Sequence, residues 1–197
     1  MRAAVVTPQF WLLWGMVVTC ASAGLNVASV YKAYAATAPA LLGDNYQSLV
    51  GALAALVNGV GRLFWGTFSD VIGFRKAFLL LSIGQTALLA AYPYCTGSKP
   101  VFMAATAAIF FCLAGNFALL PPAVARIFGA KNGAAIYGVL YSSFGVAAVG
   151  GAALSKALTK TMGYEGTFSI MAVFSLVAAA LSTQLSARKD LFAESSI

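Results

Sequence analysis

Apolar residues gather along this chain into six stretches of about 20 residues, near positions 10–32, 47–68, 77–94, 101–123, 135–156 and 167–187, with short polar turns between them. At a rise of 1.5 Å per residue, about 20 helical residues cross a hydrocarbon core of roughly 30 Å. Barrel strands would be near ten residues long and would alternate polar with apolar positions, and no such alternation is visible. The pattern predicts an all-α membrane protein, with a six-helix transmembrane bundle over residues 1–190 and a short polar tail, 191–197, that frays. The links carry Gly43-Asp44-Asn45, Gly73, Gly97 before Pro100, and Gly129 to Gly133. None is long enough to hold a soluble domain.

Composition strengthens this picture. Of 197 residues, 61% are hydrophobic and 9% charged, against about 25% charged in soluble domains. The first stretch admits a second reading, since Met1-Arg2 and the Ala-Ser-Ala at 21–23 resemble a cleavable signal peptide. The apolar run continues past that point through Val27 and Val30, and Trp11 and Trp14 suit a membrane interface. A retained spanning helix is expected.

Net charge is +7. Apart from Arg62, the 12 Lys and Arg are scattered at segment ends and form no stripe, which excludes a nucleic-acid surface. They sort by side instead. Arg2, Arg75, Lys76, Arg126, Lys131, Arg188 and Lys189 fall on one side, and Lys32, Lys99, Lys156 and Lys160 on the other. The positive-inside rule places both termini in the cytoplasm, with the plasma membrane as the default location.

Enzymatic chemistry has little to work with. There is no histidine, and Cys20, Cys95 and Cys112 are far apart with no CxxC spacing, so no metal site and no cofactor are expected. Asp44 and Asp70 belong to opposite membrane surfaces and cannot form a catalytic pair. The chain is read as no enzyme.

One charge does stand out. Arg62 lies inside an otherwise uncharged apolar segment, where a lipid-exposed arginine costs roughly 2.5–3.5 kcal/mol. It sits in the inner third of its helix, so it either snorkels to the headgroups or faces a watery cavity. Gly51, Ala55, Asn58, Arg62 and Gly66 share one face, and a small, polar stripe favours the cavity. The planar guanidinium there suits a carboxylate. The segment ends in Gly66-Thr67-Phe68-Ser69-Asp70-Val71-Ile72-Gly73-Phe74-Arg75-Lys76, in which Gly73 suits a tight turn with positive φ. Asp70, at a helix C-terminus where the dipole disfavours an anion, needs a partner such as Arg75 or another helix N-terminus.

The GxxxDxxGxRK pattern formed by Gly66, Asp70, Gly73, Arg75 and Lys76 resembles the intracellular gating motif of the major facilitator superfamily. The fuller run NGVGRLFWGTFSDVIGFRK, with FGAKNGAAIYGVLYSSFG from Phe128 to Gly145, is similar to the C-terminal half of the oxalate/formate antiporters and, more loosely, the monocarboxylate carriers. The resemblance implies six transmembrane helices arranged as two three-helix inverted repeats, half of a twelve-helix carrier that works by alternating access. It makes Arg62 the partner of a substrate carboxylate and sets Asn58, Tyr141, Phe144 and Phe117 around the substrate.

Three departures shape the expectation. Val71 and Phe74 stand where basic residues are usual. Asn58 stands where proton-coupled monocarboxylate carriers have an acid. Phe144 stands where oxalate exchangers place a lysine, which leaves one cation and favours a monocarboxylate over a dianion. Lys156, on the same helix, reads as a snorkelling lysine at its outer end. Lys32 is a weaker candidate for drawing anions inward, and Asn26 a half-buried hydrogen-bonding group. The expected partners are a small organic anion, the lipid bilayer and a second six-helix half, supplied by a separate chain, a missing N-terminal part or a homodimer. The competing expectation is a non-transporting or incomplete membrane fragment that serves only in structure or assembly.

Overall fold

The computed structural model describes residues 5–185, apart from the side chains of Ala130 and Lys131. Six helical elements follow in order: α1 (Pro8–Ala35), α2 (Asp44–Ile72), α3 (Phe74–Ala91), α4 (Lys99–Phe128), α5 (Ala130–Leu140) and α6 (Ser142–Gln184). Short 3-10 turns at Pro39–Leu41 and Tyr92–Gly97 join α1 to α2 and α3 to α4. Among the described residues there is no strand. The expected tail, and Arg2, Arg188 and Lys189 on which part of the orientation rests, lie outside the described residues.

Among the described residues five helical runs are long and apolar enough to cross a membrane, where six separate stretches were expected. The difference lies in the last run, Asn132–Gln184, which holds the fifth and sixth stretches together. It is not straight. Gly163 has φ 72° and ψ −176°, outside the helical region. Across it the Thr159 and Thr167 hydroxyl oxygens lie 3.1 Å apart, whereas eight residues of unbroken helix would part them by about 12 Å. Both ends of α6 also return to the start of α1. Trp14 Nε1 donates to Ser142 Oγ at 3.1 Å, and Leu181 packs beside Gly15. The chain therefore doubles back at Gly163.

A single glycine likewise joins α2 to α3. Gly73 (φ 85°, ψ 152°) ends one helix and starts the next, with its N–H donating to the Ser69 carbonyl at 2.9 Å. Gly129 (φ 82°, ψ 147°) does the same between α4 and α5. Positive φ costs an L-residue about 1–2 kcal/mol and glycine almost nothing, so these positions make tight corners between helices.

Packing pairs α1 with α6 and α2 with α4, while α3 bridges α4 and α6. One core cluster, around Phe10, Leu13, Met16, Phe78, Leu81, Leu119 and Phe144, fills the end of the bundle near Gly73. A second, aromatic cluster of Tyr34, Tyr92, Phe102 and Phe168 fills the end near Gly43. Polar groups turn inward between them. Gln85 Nε2 donates to the Cys20 carbonyl at 2.9 Å and Ser175 Oγ to the Ser82 carbonyl at 3.0 Å. Large apolar side chains such as Leu56, Leu63, Val149 and Val173 stand on the outside. Apolar surface around a hydrogen-bonded interior is the arrangement a bilayer favours over water.

Candidate functional site

α2 lies against α4 because small residues let the backbones approach. Val50, Ala54, Gly61, Trp65 and Ser69 form its buried face. A Cβ on Gly61 would sit 2.9 Å from the Phe111 ring and 3.0 Å from Ala114 Cβ. At this close approach Trp65 Nε1 donates to the Phe111 carbonyl at 2.9 Å, and Asn58 Nδ2 to the Phe110 carbonyl at 2.8 Å. Asn58 thus uses one amide hydrogen to hold its helix against the neighbour. Ala55 and Arg62, on the stripe singled out in the sequence, are exposed, while Gly51, Asn58 and Gly66 are half-buried along the edge of the packed face.

Arg62 follows Asn58 by one turn and reaches sideways to α4, where its guanidinium carbon lies 4.8 Å above the Phe117 ring. Phe117 stacks on Phe144 with centroids 4.6 Å apart and planes 12° from parallel. Phe144 is buried and meets Tyr141 at 4.9 Å. Tyr141 is 45% exposed and contacts Tyr137 edge-on at 5.7 Å. Arg62, Phe117, Phe144 and Tyr141, chosen from three separate stretches, therefore form one continuous surface with Asn58 at its border. Tyr137 was not picked out from the sequence. Its position four residues before Tyr141, one helical turn, was the available signal.

Charge and geometry define what this surface can do. Among the described residues no carboxylate lies within ion-pair reach of Arg62, so its charge is not neutralised from within. The guanidinium carbon lies over an aromatic ring and the residue is exposed; a guanidinium can take a carboxylate through two parallel hydrogen bonds. Phe144 next to it adds area but no second charge. Lys156 does not make up for that, since it lies 12 residues along α6, about 18 Å from Phe144 at helical rise.

The motif residues gather at the Gly73 end. Asp70 Oδ1 pairs with Arg126 Nη2 at 2.8 Å, not with Arg75 or a helix N-terminus as the sequence suggested. The reason is helix alignment: α2 and α4 run side by side, so their last turns end together and the basic residue of α4 lies next to the acid of α2. Arg126 also offsets the unfavourable dipole at Asp70. Arg75 turns away and its Nη2 donates to the Thr183 carbonyl at the end of α6. Gly66 is half-buried, and Lys76 is exposed. The corner thereby ties α2 to α4 and α3 to α6.

Asn26 is 2% exposed rather than half-buried, because it lies between α1 and α6 and donates through Nδ2 to Ser155 Oγ. Lys32 is exposed near the end of α1. Cys20, Cys95 and Cys112 are all free thiols, and among the described residues no group of three or more His, Cys, Asp or Glu is placed to hold a metal.

Comparison with known proteins shows the family. Residues 12–190 match the Major Facilitator Superfamily. Apicoplast pyruvate carrier 1 of Toxoplasma gondii is 33% identical over 174 residues, covering 86% of this chain and 32% of the relative. The oxalate:formate antiporter of Oxalobacter formigenes is 31% identical over 178 residues, covering 90% of this chain and 42% of the relative. The chain thus spans less than half the length of these curated relatives. With an all-helical bundle, five runs able to cross a membrane and a match along nearly its whole length, the chain belongs to the major facilitator superfamily.

Proposed function

We propose that this chain supplies one half of a secondary-active carrier that moves a small organic anion, monocarboxylate-like, by alternating access. The observation that carries the reading is the Arg62 guanidinium over Phe117, itself stacked on Phe144, with no carboxylate among the described residues to neutralise it. Arg62 binds the substrate carboxylate, Phe117, Phe144 and Tyr141 wall the apolar remainder, and Asn58 fixes the height of Arg62 by anchoring α2. A dianion would leave its second charge unpaired beside Phe144, at a cost of several kcal/mol. The relatives named for pyruvate and for oxalate and formate transport support an organic anion as cargo.

The reversal at Gly163 supports counting α6 as two spans. As one straight helix its 43 residues would extend about 65 Å, twice the hydrocarbon thickness. Six spans, as two inverted groups of three, then form half of a facilitator fold. The exposed side of Arg62 and Tyr141 is where a second six-helix half closes the substrate cavity, whether a separate chain, further sequence of the same one or a second copy. Asp70, Arg126, Arg75, Gly66, Gly73 and Lys76 form the gate at the cytoplasmic end, where both termini lie.

The test is counterflow. Vesicles containing the assembled carrier are loaded with unlabelled pyruvate, formate or oxalate, and uptake of the labelled anion is followed. Pyruvate or formate exchange that exceeds oxalate exchange supports the reading. Saturable uptake of a cation or neutral sugar, with none of any anion, refutes it.

A further inference from the structure

A second cluster of cations lies away from Arg62. Between α1 and the first arm of α6 is a cleft of about 520 Å³ whose lining includes Ser29, Ser155, Lys156, Thr159, Lys160 and Tyr164. That volume lies within the usual range for small-ligand sites. Its lining contains two ammonium groups one helical turn apart and no carboxylate. Glu165, adjacent in sequence to Tyr164, is exposed and does not line it. Among the described residues neither lysine has an acidic partner.

The hydroxyls can be sorted by where their protons go. Ser29 Oγ donates to the Asn26 carbonyl at 2.7 Å. Thr167 Oγ1 donates to the Gly163 carbonyl at 2.7 Å, so the proton between Thr159 and Thr167 comes from Thr159. Ser155 Oγ accepts from Asn26 Nδ2 and keeps its own proton to give. Lys156, Lys160 and Ser155 therefore bring hydrogen-bond donors to the lining of one cleft, which Tyr164 also lines. Asn26, 2% exposed, fixes Ser155 from behind. Along α6, Lys160 lies two residues before Met162, about 3 Å from the end of the first arm.

We propose that this cleft binds a phosphate group, separately from the Arg62 surface about 18 Å away along α6. The same chemistry is offered by the headgroup of an anionic phospholipid and by free inorganic phosphate, and the experiment separates these sources. The full chain is placed in nanodiscs of phosphatidylcholine alone or of phosphatidylcholine with phosphatidylglycerol. Retained phosphatidylglycerol is counted by native mass spectrometry, and inorganic phosphate is titrated calorimetrically into the phosphatidylcholine discs.

Saturable binding of one equivalent in either arm, weakened roughly tenfold or more by K156Q/K160Q, supports the site and identifies its source. K156R/K160R keeps the charges and should retain binding. Lys99→Gln, a lysine at the same end outside the cleft, should leave it unchanged. Circular dichroism checks that each variant is folded. Absence of saturable binding in both arms, or binding by K156Q/K160Q equal to that of the unmodified chain, overturns the proposal.

Discussion

The Arg62 guanidinium lies 4.8 Å above the ring of Phe117, a residue from another helix that is itself stacked on Phe144. A cation on an aromatic face is stabilised by about 0.5–2 kcal/mol, depending on how far it is desolvated. The same contact holds the guanidinium beside α4. Phe117→Leu keeps apolar bulk but removes the ring face. Affinity for a monocarboxylate, measured by calorimetry on the assembled carrier, is expected to fall between about twofold and thirtyfold, with little change in melting temperature. Unchanged affinity would detach Phe117 from the site.

Phe144→Lys tests the charge count. A second cation beside Phe117 should raise preference for oxalate over formate in competition assays, because both carboxylates then find a partner. Since Phe144 is buried at 5% exposure, thermal stability should drop at the same time. A selectivity ratio that does not move would mean that the Phe144 position does not face the cargo.

Gly61 controls the approach of α2 to α4. Gly61→Val meets the Phe111 ring and backbone carbonyl, and overpacking of this kind costs typically 1–3 kcal/mol. It would also stretch the hydrogen bonds from Asn58 and Trp65. Expected results are a lower melting temperature and weaker anion binding together, whereas Gly59→Ala, at a position with open space around it, should change neither.

The Asp70–Arg126 pair is more than half exposed on both sides, 64% and 56%. Such pairs are worth about 0–1 kcal/mol. Asp70→Asn should therefore shift the melting temperature by no more than about 2–4 °C for a chain of this size. If the pair gates, exchange between inward- and outward-facing states, followed by spin-label distances, changes more than stability does. The charge reversal D70R/R126D should restore it.

How much could be read from the sequence depended on how local each cause was. Gly73 was legible because positive φ is a property of one residue, and Arg62 because a charge within an apolar stretch is conspicuous without a partner. Phe117, Phe144 and Tyr141 were selected by resemblance, and their stacking needed coordinates. The pairing of Asp70 with Arg126 was hidden because the two are 56 residues apart and meet only through the alignment of α2 with α4. Asn58 looked like a substrate ligand, whereas its first partner is the Phe110 backbone of the adjacent helix. The reversal at Gly163 falls between the apolar stretches 135–156 and 167–187, so the separation was legible, while the contact of Thr159 with Thr167 across it was not.

The decisive measurement is uptake by Arg62→Lys in the reconstituted assembly. Lysine keeps the positive charge but loses arginine's planar fork, which lies over Phe117. Monocarboxylate transport should fall to background while the amount of folded protein in the membrane stays the same. Undiminished uptake would contradict the assignment of Arg62 as the carboxylate-binding group.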